Sequence, residues 1–560
     1  MTLKPARTPR AAQSILQRLG PFELKDRLIA LADAHVRAST GQMLNAGRGN
    51  PDWVATDARA AFFLLGRFAL SDAERTWRAP GLAGSPRERG MARRLRAVLR
   101  AHAREPGAAL LRGALDFGVR HLGFAPDDFV HELTDAALGN HYPLPVRMLR
   151  HVERIVHAFL VRTLCGGRAP RGGFDLFAAE GATAAVCYLF ESLAINGLLK
   201  RGDRVALATP IFTPYVAIPR LERYGLQVIE LRASELRPDG SHAWQYPDEE
   251  LDKLADGRIK ALVVVNPSNP PSVAIRERSV RRIGRTVRSR NPDLIVISDD
   301  VYASFVPGYR SLLAELPRNT VGLYSFSKNY GCTGWRLGVL ALHRDHVIDR
   351  LLARMPARRR AGLARRYASL VLEPEKMKFI DRLAADSRQV AFNHTAGLSG
   401  PQQAQMALFA LGSLLDRKGD YDRGTREIVR RRYRALFEGL GAQVPDDPLC
   451  AGYYAELDLL VWARREYGED FVRYLKAHYE PVDLLFRLAE QSAIVLMPGG
   501  GFAGPEWSVR VSLANLPDEA YAKIGRYLRL AAQSYVKEWR ASKRQRSLPR
   551  THPRRASAGR

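Results

Sequence analysis

The sequence predicts an α/β fold, with a large, mostly parallel sheet domain covered by helices, a smaller α+β domain and helical insertions. Two observations predict it. Seven short apolar runs, FDLFAA, RVALA, LQVIEL, ALVVV, LIVIS, TVGLYSF and LGVLAL, recur between Phe174 and His343, rich in β-branched residues and too short to stand as helices. The stretches between them are amphipathic and long enough to be helical, and this alternation builds a parallel sheet buried on both faces. A chain of 560 residues with 46% hydrophobic content has the material for such a core.

Taken in order, residues 1–60 read as an N-terminal arm and part of the small domain, and residues 61–135 as a helical insertion. The helical pattern from Phe22 to Leu164 is broken by the Gly/Pro-rich segment Pro80 to Arg87. Residues 136–400 make the large domain, with an Arg-rich insertion near 350–390 in which Arg354 to Arg388 reads as basic helix. Residues 401–540 make the C-terminal small domain, opening on an apolar helix from Gln402 to Leu415 and including an α+β element from Phe471 to Leu513. Residues 541–560 are poor in apolar side chains and read as a basic disordered tail. No internal repeat is present.

The formal net charge is +28, from 86 Lys and Arg against 58 Asp and Glu, which raises nucleic-acid binding as a function class. Its placement argues against that class. Arg540, Lys543, Arg544, Arg546, Arg550, Arg554, Arg555 and Arg560 lie within residues 540–560, residues 354–366 carry six Arg, and no helix-turn-helix, zinc-finger or ribonucleoprotein signature accompanies them. Cys165, Cys187, Cys332 and Cys450 are too scattered for a metal site and too few for a disulfide framework, so no metal is expected and the thiols read as reduced, in a cytoplasmic protein. No apolar run reaches the roughly 18 residues a membrane span needs, and no apolar segment precedes Pro21, so a soluble, unprocessed protein is expected.

Chemistry concentrates just after the apolar runs, where ligands of parallel sheets gather. The run TVGLY leads into Ser325-Phe326-Ser327-Lys328-Asn329-Tyr330-Gly331-Cys332-Thr333-Gly334-Trp335-Arg336-Leu337-Gly338. A Lys in this position, with small hydroxyl residues before it and an Arg after it, suits an imine-forming amine beside an anion clamp. Nearby cations or desolvation make the amine nucleophilic, and Arg336 with Ser325 and Ser327 can hold a phosphate bidentately. The stretch resembles the pyridoxal-phosphate attachment motif of class I aminotransferases, small-x-small-Lys-x-x-Gly-x-x-Gly-x-Arg-x-Gly, with Cys332 standing where a larger apolar residue is usual. The resemblance implies the aspartate aminotransferase-like fold type I, pyridoxal 5'-phosphate as cofactor, Lys328 as the amine joined to it and Arg336 on its phosphate.

The same resemblance implies further site residues in a fixed chain order. Asp299 and Tyr302, in Asp299-Asp300-Val301-Tyr302, would face the pyridine nitrogen and the ring hydroxyl, a carboxylate there keeping the ring able to accept electrons. Asn269, in Asn266-Pro267-Ser268-Asn269-Pro270-Pro271-Ser272, would bond the ring hydroxyl and border the substrate, although Pro271-Ser272 replace the usual Thr-Gly. Gly181-Ala182-Thr183 would open a helix whose first N–H groups meet the phosphate. Phe212 would stack on the ring. Tyr142, in Asn140-His141-Tyr142-Pro143-Leu144-Pro145, would reach the phosphate of a neighbouring subunit, which implies a homodimer with shared sites or a higher homo-oligomer. Arg510, in Ser508-Val509-Arg510-Val511-Ser512, would bind the substrate α-carboxylate as a bidentate fork.

Within this superfamily the chain is similar to one branch, the aspartate 4-decarboxylases. The similarity lies in Asn45-Ala46-Gly47-Arg48-Gly49-Asn50-Pro51, Gly139 to Pro143, the unusual Pro270-Pro271-Ser272 and Ser298 to Phe305. It implies pyridoxal-phosphate-dependent β-decarboxylation of L-aspartate to L-alanine and carbon dioxide, with aminotransfer as a side reaction. Gly47 and, as candidate cations for the distal carboxylate, Arg48, Lys25 and Arg388 are the substrate residues this adds. A class I aminotransferase that does not decarboxylate is the alternative, and a non-catalytic basic protein on the same fold is the third class.

Overall fold

A computed structural model describes residues 3–39, 41–142, 147–388 and 397–547. The seven apolar runs become the seven strands of one sheet: β1 (Phe174–Glu180), β2 (Arg204–Thr209), β3 (Gln227–Arg232), β4 (Ile259–Val265), β5 (Ile295–Asp299), β6 (Thr320–Ser325) and β7 (Leu337–His343). Their order across the sheet is β1-β7-β6-β5-β4-β2-β3. The strands β6, β5, β4, β2 and β3 are parallel neighbours, and β7 runs antiparallel to both β6 and β1. The reversal has a simple cause: the segment Phe326–Arg336 is shorter than the dozen or so residues a parallel crossover needs. Every residue of β5, β6 and β7 is buried, as central strands covered on both faces must be, whereas the edge strand β3 is partly exposed. The carboxyl ends of β1, β2, β4, β5 and β6 therefore share one edge of the sheet.

The inserted helices Thr56–Glu74, Met91–Ala101, Ala108–Arg120 and Pro126–Leu138 pack with Arg150–Leu164 and share one hydrophobic core with the sheet. The Gly/Pro-rich break contains a two-residue antiparallel pairing of Arg78–Ala79 with Leu82–Ala83. A second core joins the N-terminal helix Pro21–Arg37, the helix Asp483–Ser492 and a three-stranded sheet made of β8 (Tyr454–Asp458), β9 (Met497–Pro498) and β10 (Ser508–Ser512), in the order β8-β10-β9.

Three features differ from the sequence reading. The Arg354–Arg388 stretch is two helices, Ala357–Tyr367 and Phe379–Asp386, parted at Pro374, which lacks an N–H and keeps Glu373 out of the helical region. The apolar helix Gly400–Leu415 lies in the first core, not with the small domain to which its position assigned it, and Met406 to Leu411 are buried on all sides. The last helix, Asp518–Ser547, runs seven residues past Arg540, because Ala541 to Ser547 extend an existing helix and so meet no nucleation cost. The rest of the basic tail lies outside the described residues. Among the described residues no helix is long and apolar enough to cross a membrane, and no His/Cys/Asp/Glu group could hold a metal. All four cysteines are free thiols.

Candidate active site

The loops leaving the shared sheet edge, the loop 45–50 and the strand pair β8/β10 carry the chemistry-bearing residues. Lys328 follows β6 and is half-buried; its Nζ donates to the Gly49 carbonyl at 2.8 Å and lies 5.9 Å from the centre of the Tyr453 ring. Before it, the Ser325 hydroxyl donates to that of Ser327 at 3.0 Å.

Asp299 ends β5 and is buried, accepting from the Tyr215 hydroxyl at 2.7 Å and from the Val301 N–H at 3.2 Å. Burial pushes its carboxyl up to about 6, while the two hydrogen bonds and the positive charge of Lys328 pull the other way. Asp300 behind it accepts from the hydroxyls of Ser298 at 3.1 Å, Ser311 at 2.8 Å and Tyr309, and burial raises it to about 7.

From Asp299 the chain reaches Tyr302, whose hydroxyl accepts from Asn269 Nδ2 at 3.4 Å and donates to the Tyr454 hydroxyl at 3.2 Å. Asn269 Oδ1 in turn accepts from Arg510 Nη1 at 3.2 Å. Arg510, on β10, is buried; its Nη2 donates to the Gly47 carbonyl at 3.0 Å, and its Nε is buried with no hydrogen-bond partner among the described residues. Its guanidinium lies 4.5 Å from the Tyr454 ring centre and 4.6 Å from that of Phe502. A buried guanidinium with an unmet N–H invites an anionic ligand.

Elsewhere in the site, the turn at Gly181 faces the Arg336 guanidinium. Gly181 has φ 88°, and a Cβ there would come within 2.4 Å of the Arg336 guanidinium, so only glycine suits the position. It precedes the helix Ala182–Ile195, whose first N–H groups and dipole favour an anion, and Thr183 beside it is exposed. Arg336 is exposed in a left-handed conformation, its Nη1 donating to the Thr333 carbonyl at 3.0 Å. Phe212, just after β2, is half-buried, with its ring centre 6.3 Å from that of Tyr215. Cys332 is buried with Sγ 3.2 Å from the Phe326 carbonyl, the smaller side chain still filling the turn.

The Pro271-Ser272 replacement has a structural meaning. Ser272 takes φ 63°, a left-handed conformation that usually selects glycine, and its Oγ accepts from the Tyr453 and Tyr454 N–H groups at 3.0 and 3.3 Å. A glycine would relieve the backbone and lose both bonds. Three of the sequence-predicted substrate residues gather at loop 45–50. Gly47 carries a carbonyl bonded to Arg510, the Lys25 side chain lies against the position of a Gly47 Cβ at 3.5 Å, and Arg48 is exposed with no ion pair among the described residues. Arg388 is buried near Glu180 and Gly397, beside the Gly181 turn, and burial pulls its pKa down. Tyr142 is 77% exposed on the single chain, and Pro143, Leu144 and Pro145 of its motif lie outside the described residues.

Four residues of this constellation escape sequence reasoning: Tyr215, Tyr453, Tyr454 and Glu456. The Tyr453 hydroxyl donates to the Gly49 carbonyl at 2.9 Å, beside the Lys328 amine. Tyr454 pairs with Ser512 and Glu456 with Arg510 across β8 and β10, so Tyr454, Glu456 and Arg510 share one face. Burial pushes the Glu456 carboxyl up to about 8. Alternation along β8, once its pairing with Arg510 is known, points to Tyr454 and Glu456; Tyr215 and Tyr453 carry no such signal. A cavity of about 680 Å³ lies elsewhere, lined by Pro210, His242, Trp244 and Gly501, and holds none of these residues. The donor set, not cavity size, marks the site, and it fits pyridoxal phosphate: a phosphate cradle at Gly181 and Arg336, a buried carboxylate at Asp299, hydroxyl and amide at Tyr302 and Asn269, and an amine at Lys328.

A family profile described as aminotransferase class I and II matches residues 181–527. The bifunctional aspartate aminotransferase and L-aspartate beta-decarboxylase of Pseudomonas sp is 44% identical over 528 residues, 94% of this chain and 98% of that protein. The aspartate aminotransferase of Pyrococcus abyssi is 30% identical over 154 residues, 27% of this chain and 37% of its own. A double mutant of the Thermus thermophilus aspartate aminotransferase superposes with a TM-score of 0.55 at 18% identity, covering 90% of this chain and 96% of that one, and shows the same fold. The chain belongs to the class I and II aminotransferases, a pyridoxal 5'-phosphate-dependent family.

Proposed function

We propose that this protein converts L-aspartate to L-alanine and carbon dioxide with pyridoxal 5'-phosphate, and releases oxaloacetate by aminotransfer as a side reaction. The observation that carries the reading is the end-to-end relation to the Pseudomonas bifunctional enzyme, which includes the inserted helices and loop 45–50, set beside half-buried Lys328 and the buried Asn269, Tyr302 and Arg510.

When bound, the cofactor supplies an electron sink conjugated to the substrate nitrogen. Lys328 Nζ would hold the cofactor covalently and, once freed by substrate, would move the proton at substrate Cα. Asp299, held by Tyr215, keeps a negative charge at the pyridine nitrogen. Tyr302 and Asn269 would bond the ring hydroxyl, Phe212 would cover the ring face, and Arg336, Ser325, Ser327 and the Gly181–Thr183 turn would hold the phosphate. Arg510 binds the α-carboxylate with Nε and Nη, orienting the bonds at Cα. The distal carboxylate falls to the 45–50 loop, where Arg48 is the uncommitted cation and Lys25 lies behind Gly47. A contact looser than a buried bidentate pair is what decarboxylation requires, because a tight pair stabilises the charged ground state that the reaction destroys.

Two copies share their sites in this reading, with Tyr142 of each serving the other. The free thiols suit a cytoplasmic protein. Aspartate supplied alone, with no keto acid, tests the reaction. Alanine and carbon dioxide in equal amounts over many turnovers are expected, and a stop after about one turnover with oxaloacetate as sole product would make the protein an aminotransferase.

A further inference from the structure

Under the decarboxylase reading, on which the role assigned to Tyr454 rests, the substrate needs a proton at a second carbon. Loss of carbon dioxide turns Cβ into a carbon that must gain a hydrogen to become the methyl group of alanine, while Lys328 is engaged at Cα. We propose that the Tyr454 hydroxyl is the acid that protonates Cβ.

Three phenols meet at the site, and two have committed their protons. Tyr453 donates to the Gly49 carbonyl at 2.9 Å, and Tyr302 donates to the Tyr454 oxygen at 3.2 Å. Tyr454 accepts that bond, is buried, and has no acceptor for its own proton among the described residues. Its position is the second argument. A Cβ built on Gly49 would lie 2.5 Å from the Tyr454 hydroxyl and 3.1 Å from Lys328 Nζ, so phenol and amine face the same small space. Arg510, the α-carboxylate clamp, lies 4.5 Å from the centre of the same ring, which puts a bound amino acid between Tyr454 and Lys328. The charged and titratable groups facing the hydroxyl are Lys328, Arg510, Tyr302 and Tyr453. Burial alone would raise its pKa, as it does for Tyr302 and Tyr453, yet the charges of Lys328 and Arg510 and the bond from Tyr302 together outweigh burial and lower it.

The step balances. The Cβ–carboxylate bond breaks, carbon dioxide leaves without the bonding pair, and that pair forms the new Cβ–H bond with the Tyr454 proton. The phenolate recovers a proton from water, so one proton is consumed per carbon dioxide released.

The test uses [ζ-13C]tyrosine-labelled protein before cofactor is added, in which Lys328 is a free amine, together with Tyr454→Phe holoenzyme, which keeps the ring under Arg510. In the wild type one tyrosine resonance, missing from Tyr454→Phe, should move to the phenolate position below pH 10; if no tyrosine resonance does so, the proposal falls. With aspartate as sole substrate, Tyr454→Phe should raise the ratio of oxaloacetate to carbon dioxide about 100-fold, because aminotransfer needs no proton at Cβ. A structural role lowers both products together, so an unchanged ratio overturns the proposal, and if the variant does not fold the wild-type titration still decides. A wild type that releases no carbon dioxide removes the decarboxylase reading itself, whereas carbon dioxide release with an unchanged ratio removes only the role of Tyr454.

Discussion

Replacing Tyr215 by Phe tests how the fold holds a negative charge inside the site. Asp299 stands at about 6 rather than 3.8 because burial outweighs the Tyr215 hydroxyl, the Val301 N–H and the Lys328 charge. A hydrogen bond to a buried charged group is worth about 1.5–3 kcal/mol, which is about one to two pH units of titration. Tyr215→Phe removes the 2.7 Å bond and leaves the ring in place, so the Asp299 carboxyl should titrate higher by that amount. Its pKa in the folded protein already lies above the unfolded value, so the folded protein holds an extra proton between about pH 4 and 6 and loses stability as pH rises through that window. In the variant the window reaches about one to two units further. The stability gap to wild type should therefore widen by about 1.5–3 kcal/mol between pH 5 and pH 8. Urea midpoints of the cofactor-free protein across that range measure it, and the pH profile of turnover should lose its acid-side plateau in step. Stability curves that stay parallel from pH 5 to pH 8 would refute Tyr215 as the group that keeps Asp299 ionised.

The same geometry fixes three other outcomes. Lys328→Ala should lose the covalent, borohydride-reducible link to the cofactor; a reduced label recovered on another lysine in the wild type would move the assignment. Gly49→Ala should lower turnover at least tenfold with Tm nearly unchanged, because its methyl group enters the space between Tyr454 and Lys328; equal turnover would mean that substrate does not pass there. Tyr142→Phe mixed with Lys328→Ala should recover activity above either parent after subunit exchange, since a mixed dimer carries one unmutated site; no recovery despite proven exchange would place both residues in one subunit's site.

The sheet was legible because its central strands are buried on both faces, and a strand in that environment is written as a continuous apolar run whatever its partners are. The residues at the strand ends were legible for a related reason. Lys328, Asp299, Asn269 and Gly181 each follow a run within a few positions, so local spacing carries their places, and resemblance to a family could attach to those spacings one by one. Ser272 shows where such reading stops. As a departure from the usual glycine it reads as a doubtful turn, and only the contact with residues 453 and 454 shows a hydroxyl holding the two amides that lead into β8. The tyrosines that those amides belong to had no local signal at all. Tyr454 meets Lys328 through loop 45–50, and the Lys328–Gly49 bond spans 279 positions of sequence. Its place beside Arg510 depends on the pairing of β8 with β10, a register set by packing of the second core and not by any motif. The cofactor end of the site is thus written in short segments, each complete in itself, while the substrate end is assembled from three separated ones. On the proposed function, the choice between decarboxylation and aminotransfer falls to the substrate end, whose side chains have their neighbours in space far away in sequence.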